Sequence, residues 1–469
     1  MKNKIYLFLL ICILLIPSAT GFAQAEDQLP VYVIRPGDSL GTIAALFNTT
    51  VSEILLVNNI DNADFISPGQ EIKIPGMPGI SGTLQIVTPS LGERFSLMPV
   101  KYLTDRDPII SINRIVSPTQ VFPGTELIIP VQGDGISLVA AISVLNLQTG
   151  LESAVLLDQN QFTLGSLNKT EDLNQLFDGQ VIFSTSTDNN SPISLFAPAF
   201  SSVELSPLPL TQGTTAVAAV KSDSPVKLSG TLGDTQLLFF NDTEGFYYSL
   251  QGIHALEEPG LVEFSLTGLF EDGVQRTYTQ QVLLTSGLFQ EDPPLVVDPN
   301  LIDPSVTLPE NEMVFSLIEK ITPSRFWNGI FNSPAVYQEY NSLFGTRRWY
   351  NDDPEVKFHT GIDFAGGMTL PITAPAPGRV VFAGPLVVRG NTVFIDHGWG
   401  VFSGFFHQDT LNVSVGDMVE TGDVIGTVGN TGRVNGAGDY AGAGAHLHWE
   451  VWVNKVQVDP LEWLLREFP

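Results

Sequence analysis

The spacing of apolar residues changes twice along residues 31–75. Residues 31–34 and 71–75 each predict a short strand. A second short helix is predicted over 51–57, after a first one marked by apolar residues with helical spacing. The residues that mark the first helix are Ile43, Ala44, Leu46 and Phe47. The segment is therefore predicted to fold in the order strand, helix, helix, strand, with Asp38 or Ser39 capping the first helix and Ser52 capping the second.

The end of this segment is repeated twice further along the chain. An asparagine is followed by a turn glycine and an apolar strand at Asn59 and Gly69, Asn113 and Gly124, and Asn168 and Gly179. The separation is ten positions in the first pair and eleven in the other two. This internal periodicity predicts two degenerate copies of the unit, over 83–131 and 135–185.

Residues 207–287 consist of short apolar segments separated by turn residues such as Gly233-Asp234. This spacing predicts an Ig-like β-sandwich, and no cluster of chemically active side chains accompanies it. The predicted strands are 214–220, 226–232, 236–240, 246–250, 261–269 and 276–284. A spacer or interaction domain is the simplest interpretation.

Pro, Asp and Glu dominate residues 288–312, which predicts an extended acidic linker before the C-terminal region, 313–469. A chain of 469 residues is too long for a single core. The predicted fold class is therefore multidomain and mainly β.

The N-terminus has the features of a secretory signal peptide over residues 1–25. Two lysines precede an apolar run, 5–16, and Ala23-Gln24-Ala25 forms an A-x-A cleavage site. The run is shorter than the ~20 residues that span a bilayer. Cleavage is therefore favoured over an uncleaved membrane anchor, and no stable membrane span is expected afterwards. The only cysteine, Cys12, lies in this segment, so the mature chain is expected to hold no disulfide.

The chain is strongly acidic. Its net charge is −28, and removal of the two N-terminal lysines makes it −28 − 2 = −30. Binding of nucleic acid requires clustered Lys and Arg, so nucleic acid is excluded as an expected partner. Electrostatic attraction to other anionic polymers is not expected either.

Residues 31–76 resemble a LysM module. The opening reads Tyr32-Val33-Ile34-Arg35-Pro36-Gly37-Asp38-Ser39-Leu40, and the ending has Asn-Asn-Ile at 58–60 and Pro-Gly-Gln-x-Ile-x-Ile-Pro at 68–75. The resemblance implies that a glycan containing N-acetylglucosamine binds between two loops. The implied contact residues are Gly37, Asp38, Ser39, Leu40, Asn59, Ile60 and Asp61. A purely structural unit without a ligand is the alternative.

Five of the six histidines lie between positions 359 and 448. His359 and Asp363 are four positions apart, and Zn²⁺ accepts both imidazole and carboxylate ligands. His446 and His448 alternate in a predicted strand, so both side chains are expected on one face. His407 follows another predicted strand. Each motif is common by itself, but their crowding favours one shared site.

Residues 340–465 resemble lysostaphin/LytM-type metallopeptidases, which implies an antiparallel β-sheet metallopeptidase domain over 313–469. In chain order, the matching segments are Phe344-Gly345-Thr346-Arg347, His359-x-x-x-Asp363, 374–381, 393–398, His407, 415–419, 422–426, 429–432 and His446-x-His448-Trp449-Glu450. Two features depart from the family pattern. Phe405-Phe406 replaces the more usual Tyr-Ala, and the segment 432–444 is longer and richer in Gly and Ala.

The resemblance implies that Zn²⁺ is held by His359, Asp363 and His448, with a fourth position open for water. His407 and His446 match the family's two non-ligand active-site histidines. His446 is expected to accept the water proton and His407 to stabilise the oxyanion or assist proton transfer, and the two roles can be exchanged.

Together, the resemblances predict a secreted zinc metalloendopeptidase that hydrolyses peptide cross-links of bacterial peptidoglycan. The LysM module would bring it to the wall glycan, so an extracytoplasmic, wall-associated location is expected. Two alternatives are a non-enzymatic LytM-type regulator and a glycan-binding wall protein. The complete ligand set favours the enzyme.

Overall fold

A computed structural model describes residues 29–469, apart from 94, 103, 133–139, 145–159, 169, 171, 174–180, 186–199, 201, 223, 243–244, 272, 338, 352 and 435–443. The predicted signal peptide and most of the predicted unit at 135–185 lie outside the described residues. The chain divides into two compact units, Met1–Gln85 with Pro130–Gly135, and Ile86–Ile129 with Ile136–Pro469.

The first unit has the predicted order of strand, helix, helix and strand. Its elements are β1 (Val31–Val33), α1 (Leu40–Phe47), α2 (Val51–Asn58) and β2 (Glu71–Lys73), followed by β3 (Thr83–Val87). β1 pairs with β2 in antiparallel orientation and with β3 in parallel orientation. Tyr32, Ile43, Ile54 and Ile72 are almost fully buried and form the core of this unit.

Capping boxes determine where both helices begin. Ser39 and Thr42 exchange hydrogen bonds at the start of α1, as Thr50 and Glu53 do at the start of α2. Of the two predicted caps of α1, Asp38 or Ser39, the cap is Ser39. The prediction of Ser52 is wrong, because Thr50 is the residue with extended backbone immediately before α2. Among the described residues, no single helix is long and apolar enough to cross a bilayer, and α1 with α2 passes that test only as a pair bent by 103°.

The repeat seen in the sequence corresponds to an asparagine that makes the same hydrogen bonds in the first two copies. Asn58 donates to the carbonyls of Ile54 and Lys73 and accepts the Lys73 N–H. Asn113 makes the same three bonds, to the Ile109 carbonyl and to both backbone groups of Ile128, and each asparagine spans 15 positions to its strand partner. The equivalent of Asn113 is therefore Asn58 and not Asn59, and the separation from the turn glycine is eleven in both copies.

The elements between the first unit and the sandwich are α3 (Met98–Lys101), α4 (Arg106–Asn113), β4 (Leu127–Val131), β5 (Ala140–Val144), α5 (Gln161–Leu167) and β6 (Val181–Thr185). β5 and β6 pair in antiparallel orientation.

Two sheets pack face to face over residues 202–285. Their strands are β7 (Ser202–Ser206), β8 (Leu210–Thr211), β9 (Thr215–Lys221), β10 (Val226–Leu232), β11 (Thr235–Gln236), β12 (Phe240–Asn241), β13 (Phe246–Gly252), β14 (Gly260–Phe270) and β15 (Gln275–Thr285). The orders are β11-β10-β14-β15-β8 and β12-β13-β9-β7. The prediction of one strand over 236–240 is wrong. The chain leaves the first sheet after β11 and enters the second at β12, with Leu237 buried between them.

The segment predicted to be an extended linker is helical in its second half. α6 (Pro304–Ile318) begins after Asp303, whose carboxylate accepts the Ser305 N–H at 2.8 Å. Proline at the first helical position favours a helix, because its fixed φ fits and its missing N–H needs no partner there. The prediction of extended chain is therefore wrong over 304–312. Val314 and Ile318 anchor α6 on an aromatic cluster of the C-terminal sheet.

The C-terminal region is built on a ten-stranded sheet. Its elements, with a separate β17–β18 pair, are β16 (Tyr340–Ser342), β17 (Arg347–Arg348), β18 (Lys357–Phe358), β19 (Ile362–Ala365), β20 (Pro371–Thr373), β21 (Gly378–Leu386), β22 (Gly390–Gly398), β23 (Val401–Leu411), β24 (Met418–Val419), β25 (Val424–Val428), β26 (His446–Val453), β27 (Val456–Val458) and α7 (Pro460–Leu465). The main path runs β16-β19-β26-β23-β22-β21-β24, with every pairing antiparallel. The predicted fold class, multidomain and mainly β, is confirmed.

The sandwich and the C-terminal sheet share a buried core. Val217 and Leu250 of the sandwich belong to the same apolar cluster as the interior of the C-terminal sheet. The Phe240 ring stacks on Trp399 with centroids 5.3 Å apart. Asn454 donates to the Gln251 side-chain oxygen at 2.6 Å, and both residues are buried. The sandwich is therefore packed against the C-terminal sheet.

Candidate metal centre and active site

His359 and Asp363 are positioned by a short loop between β18 and β19. A Cβ atom at Gly361, inside that loop, would lie 2.2 Å from the Trp449 carbonyl oxygen. Only glycine lets the loop approach β26 this closely. β19 and β26 pair in antiparallel register with Asp363 opposite His448. Strand pairing therefore joins two motifs that lie 85 positions apart.

Three possible ligand atoms converge at this point. Oδ1 of Asp363 lies 2.7 Å from Nδ1 of His448 and 3.0 Å from Nε2 of His359, and the two nitrogens are 3.1 Å apart. Ligand atoms on a tetrahedral zinc ion would lie roughly 3.4 Å apart, given bond lengths of about 2.0–2.2 Å. The observed separations are close to that spacing, and two imidazoles with one carboxylate form a donor set that suits Zn²⁺.

The second nitrogen of each imidazole in this set has a partner that fixes the ring. Nδ1 of His359 lies 3.0 Å from the Leu343 carbonyl oxygen. Nε2 of His448 lies 3.3 Å from Oε1 of Glu450. Glu450 is 1% exposed and also accepts from Trp452 Nε1, so it orients His448 from behind. Metal-binding histidines commonly have such partners, which select the tautomer that points at the metal.

His407 and His446 lie beside the three converging atoms. Their rings are 4.9 Å apart, and Nε2 of His446 is 3.6 Å from Oδ1 of Asp363. Nδ1 of His407 donates to the Thr431 carbonyl at 2.7 Å, and Nδ1 of His446 donates to the Gly444 carbonyl at 2.6 Å. Because a carbonyl can only accept, each ring must carry its proton on Nδ1. Nε2 is therefore the free proton acceptor of each neutral ring.

The electrostatics of the metal-free site follow from burial and from the shared carboxylate. Burial opposes ionisation of Asp363, but His359 and His448 outweigh it and hold its pKa well below the ordinary value. Burial lowers the pKa of His448, but bonds to Asp363 and Glu450 raise it to about 9. Burial also lowers the pKa of His359, more than Asp363 raises it. His448 is therefore the protonated imidazole of the metal-free site. Metal binding must displace the proton on its Nδ1, the nitrogen that faces Asp363.

Burial is also the main cause of the lowered pKa of His407, which lies well below the ordinary value. The neighbouring His446 and His448 rings lower it further. His407 is therefore neutral at pH 7, with its Nε2 lone pair available.

The site lies in a cleft of about 940 Å³ that all five predicted side chains line. Phe406, at one of the positions that departs from the family pattern, is also in the wall, and its ring stacks on His448 with centroids 5.1 Å apart. α6 contributes Thr307, Leu308 and Asn311 to the lining. The Gly- and Ala-rich segment singled out at 432–444 is described only at 432–434 and at 444, and the remainder lies outside the described residues.

Sequence reasoning missed the residues that support the site from other segments. Ser342 lies 3.2 Å from His359 Nδ1 and accepts from Arg348 at 2.6 Å, while Arg348 is paired with Asp292 at 3.0 Å. Glu310 of α6 was absorbed into the predicted linker. Residue type alone could not identify these supporting residues, because ordinary surface ion pairs use the same side chains.

The candidate glycan-binding residues occupy two turns of the first unit. Asp38 accepts from the Tyr32 hydroxyl and from the Arg35 N–H, and Ser39 caps α1. Leu40 is 2% exposed, so its side chain packs in the core and only its backbone can reach a ligand. Asn59, in the left-handed conformation, ends α2, and Ile60 and Asp61 continue into the second turn.

Comparison with known families matches two kinds of domain. The model of Peptidase family M23 matches residues 357–460, and that of the LysM domain matches 32–75 and 100–130. The first match contains all five candidate site residues. Family and donor set together support Zn²⁺ as the cofactor. The second LysM match falls within the degenerate copy predicted over 83–131.

Individual relatives cover only parts of the chain. An N-acetylmuramoyl-L-alanine amidase sle1 from Staphylococcus epidermidis is 29% identical over 127 residues, which are 25% of this chain and 39% of the relative. This chain thus spans about two fifths of the length of that curated relative.

Among solved structures, a peptidase M23 from Pseudomonas aeruginosa is similar at 24% identity with a TM-score of 0.40, covering 55% of this chain and 95% of the other. The catalytic domain of lysostaphin from Staphylococcus simulans is similar at 26% identity with a TM-score of 0.21, covering 30% and 90%. The family matches carry the assignment. Residues 357–460 form a domain of Peptidase family M23, in a chain that also carries LysM domains.

Proposed function

We propose that this protein is an exported zinc metalloendopeptidase that hydrolyses peptide cross-links of bacterial peptidoglycan. The observation that carries the proposal is the convergence of His359, Asp363 and His448, with His407 and His446 beside them, in one cleft of the M23 domain. A non-enzymatic regulator does not require this complete set, so the geometry favours catalysis.

His359, Asp363 and His448 would hold the zinc ion. When bound, zinc supplies a Lewis acid that polarises the scissile carbonyl and lowers the pKa of water. His446 accepts the proton of the attacking water through Nε2, which is the ring nitrogen nearest to the ligand set. His407 can act at the reaction centre only through Nε2, because its Nδ1–H is committed to Thr431. It would donate to the developing oxyanion only after it has accepted the proton of the attacking water in place of His446, so the two roles can be exchanged.

The first LysM unit is proposed to bind wall glycan through Gly37, Asp38, Ser39, Leu40, Asn59, Ile60 and Asp61. These residues lie at the start of α1 and at the end of α2. The corresponding turn of the second copy is engaged, since the Gly92 N–H donates to the Gln280 side chain at 2.8 Å and to the Tyr278 hydroxyl at 2.9 Å. Glycan binding is therefore assigned to the first LysM unit.

Export and a wall-associated location complete the proposal. They rest on the charged, apolar and A-x-A segments of residues 1–25 and on the need to meet an extracytoplasmic substrate.

The enzymatic proposal is tested by incubating the purified chain with defined muropeptides and reading the products by mass. We expect fragments cut within or between stem peptides, and no cleavage after zinc is chelated. Release of intact stem peptides from the glycan would instead indicate an amidase. His448→Ala, which lacks one proposed ligand, is the matched inactive control.

The targeting proposal is tested by sedimentation with purified peptidoglycan. A chain lacking residues 26–76 is expected to sediment less than the full chain, while its cleavage of small soluble muropeptides is unchanged. Equal sedimentation of both chains would contradict the assignment to the first copy.

A further inference from the structure

α6 lies outside the segment matched by the M23 family, but it makes a buried contact with the peptidase sheet. The Glu310 carboxylate accepts the N–H of Val388 at 2.8 Å and the N–H of Arg389 at 3.2 Å. It also accepts from Nη1 of Arg389 at 2.7 Å, and the Glu310 side chain is only 4% exposed. A buried carboxylate with three donors holds the turn between β21 and β22 against α6.

The same turn supports His407. The Arg389 carbonyl accepts the His407 N–H at 2.9 Å. His407 has φ of +61°, a left-handed conformation that a histidine adopts only when its surroundings hold it there. The Val388 carbonyl accepts the N–H of Arg433. Arg433 lies two residues after Thr431, whose carbonyl fixes the His407 ring. The backbone N–H of His407 is therefore held directly by the turn that Glu310 contacts, and its ring is held by a segment bonded to the same turn.

A second line of contact leads from α6 to His448. Asn311 accepts from Nη1 and Nη2 of Arg389, both at 3.1 Å. The Arg389 guanidinium lies 5.4 Å from the centroid of the Phe406 ring, within the range of cation–π attraction. Phe406 in turn stacks on His448 at an interplanar angle of 15°.

We propose that Glu310 is a positioning residue of the peptidase centre, which holds Arg389 and thereby fixes His407 and the Phe406 ring. The segment upstream of the M23 match is thus part of the active site. The proposal rests on the proposed function in so far as His407 serves hydrolysis.

The first test compares Glu310→Ala and Glu310→Gln with Glu312→Gln as the matched control. Glu312 lies two positions further along α6 and is exposed, so its substitution removes the same charge without the buried contact. For Glu310→Ala we expect a roughly 10–100-fold lower kcat, because a displacement of about 1 Å in an active site costs ~10²-fold. KM is expected to stay within about twofold and zinc near one equivalent. Glu310→Gln should fall in between, since its amide oxygen still accepts one hydrogen bond.

The second readout does not depend on activity. In full chain labelled with ¹⁵N-histidine, the imidazole signals of His407 should shift in both Glu310 variants and remain unchanged in Glu312→Gln. If kcat per folded, zinc-loaded molecule and the His407 signals both match wild type in Glu310→Gln and Glu310→Ala, Glu310 is not a positioning residue. If wild type cleaves no muropeptide, the proposed function fails, and the His407 signals alone decide this proposal.

Discussion

The two ends of the central strands β22, β23 and β26 bury histidines in opposite ways. At one end, His397 is fully buried, with Nδ1 donating to the Pro377 carbonyl at 2.8 Å and Nε2 accepting from the Ser403 hydroxyl at 2.9 Å. At the other end, His359 and His448 direct one nitrogen each at the same carboxylate oxygen of Asp363.

The difference separates a structural site from a chemical one. His397 has one partner for each polar atom, so nothing further can bind. In the cleft, Oδ1 of Asp363, Nε2 of His359 and Nδ1 of His448 lie within 3.1 Å of one another and share one proton. Such an arrangement is unfavourable in a buried site unless a cation joins the three atoms. Burial alone does not distinguish these sites. The distribution of donors and acceptors does, and it gives the following tests.

The largest effect is expected from removal of a proposed ligand. His448→Ala should lose most of its zinc and all measurable cleavage, because only two ligand atoms remain. His397→Gln is the matched control and should keep about one equivalent of zinc. Metal analysis of both purified proteins checks the prediction. Full zinc content in His448→Ala would show that His448 is not a ligand.

Removal of His407 or His446 should affect chemistry and leave the metal in place. We expect ~10²–10⁴-fold lower turnover for His407→Ala and for His446→Ala, since each removes a proton-transfer group or an oxyanion donor. Cross-link cleavage and zinc content are measured on the same samples. Near-normal turnover in both variants would refute their roles, and loss of zinc in either would make that histidine a ligand.

The structural end of the strands should respond in stability. Trp399 is 5% exposed, stacks on Phe240 and donates from Nε1 to the Pro323 carbonyl. Trp399→Ala is expected to lower the free energy of unfolding by about 3–5 kcal/mol, as other large-to-small core substitutions do. Urea denaturation measures the change. Val296→Ala, at a side chain that is 91% exposed, should leave stability unchanged. An unchanged midpoint for Trp399→Ala would show that the sandwich interface contributes little.

The smallest expected effect concerns pH and His397. Burial lowers the pKa of His397 from 6.5 to about 4, so the folded state binds this proton less readily than the unfolded state. The contribution to stability is complete above pH 6.5 and is lost as the pH falls toward 4, by up to ~3 kcal/mol. His397→Gln should therefore show a smaller loss of stability between pH 6.5 and 4 in urea denaturation. Identical slopes for the two proteins would contradict this explanation.

Local patterns were sufficient where a few neighbouring residues decide the outcome. The order of elements in the first LysM unit follows from helical spacing and capping, and the cap of α1 was narrowed to Asp38 or Ser39 from the sequence. Patterns failed where the competing choice was also local and equally plausible, as with Thr50 and Ser52, or Asn58 and Asn59. They failed more seriously at 304–312, where acidic and proline residues indicated extended chain but Asp303 and Pro304 begin α6.

The sequence by itself predicted the set of candidate site residues and determined the strand that carries His446 and His448. His359 and Asp363 could be grouped with them because residue types, spacing and family pattern act over short distances. Only the tertiary structure decided that Glu310 and Arg389 support His407, and that Trp399 and Asn454 join the sandwich to the sheet. The physical reason is that strand register and helix packing bring together residues that are 78 to 203 positions apart, and side-chain type does not encode such partners.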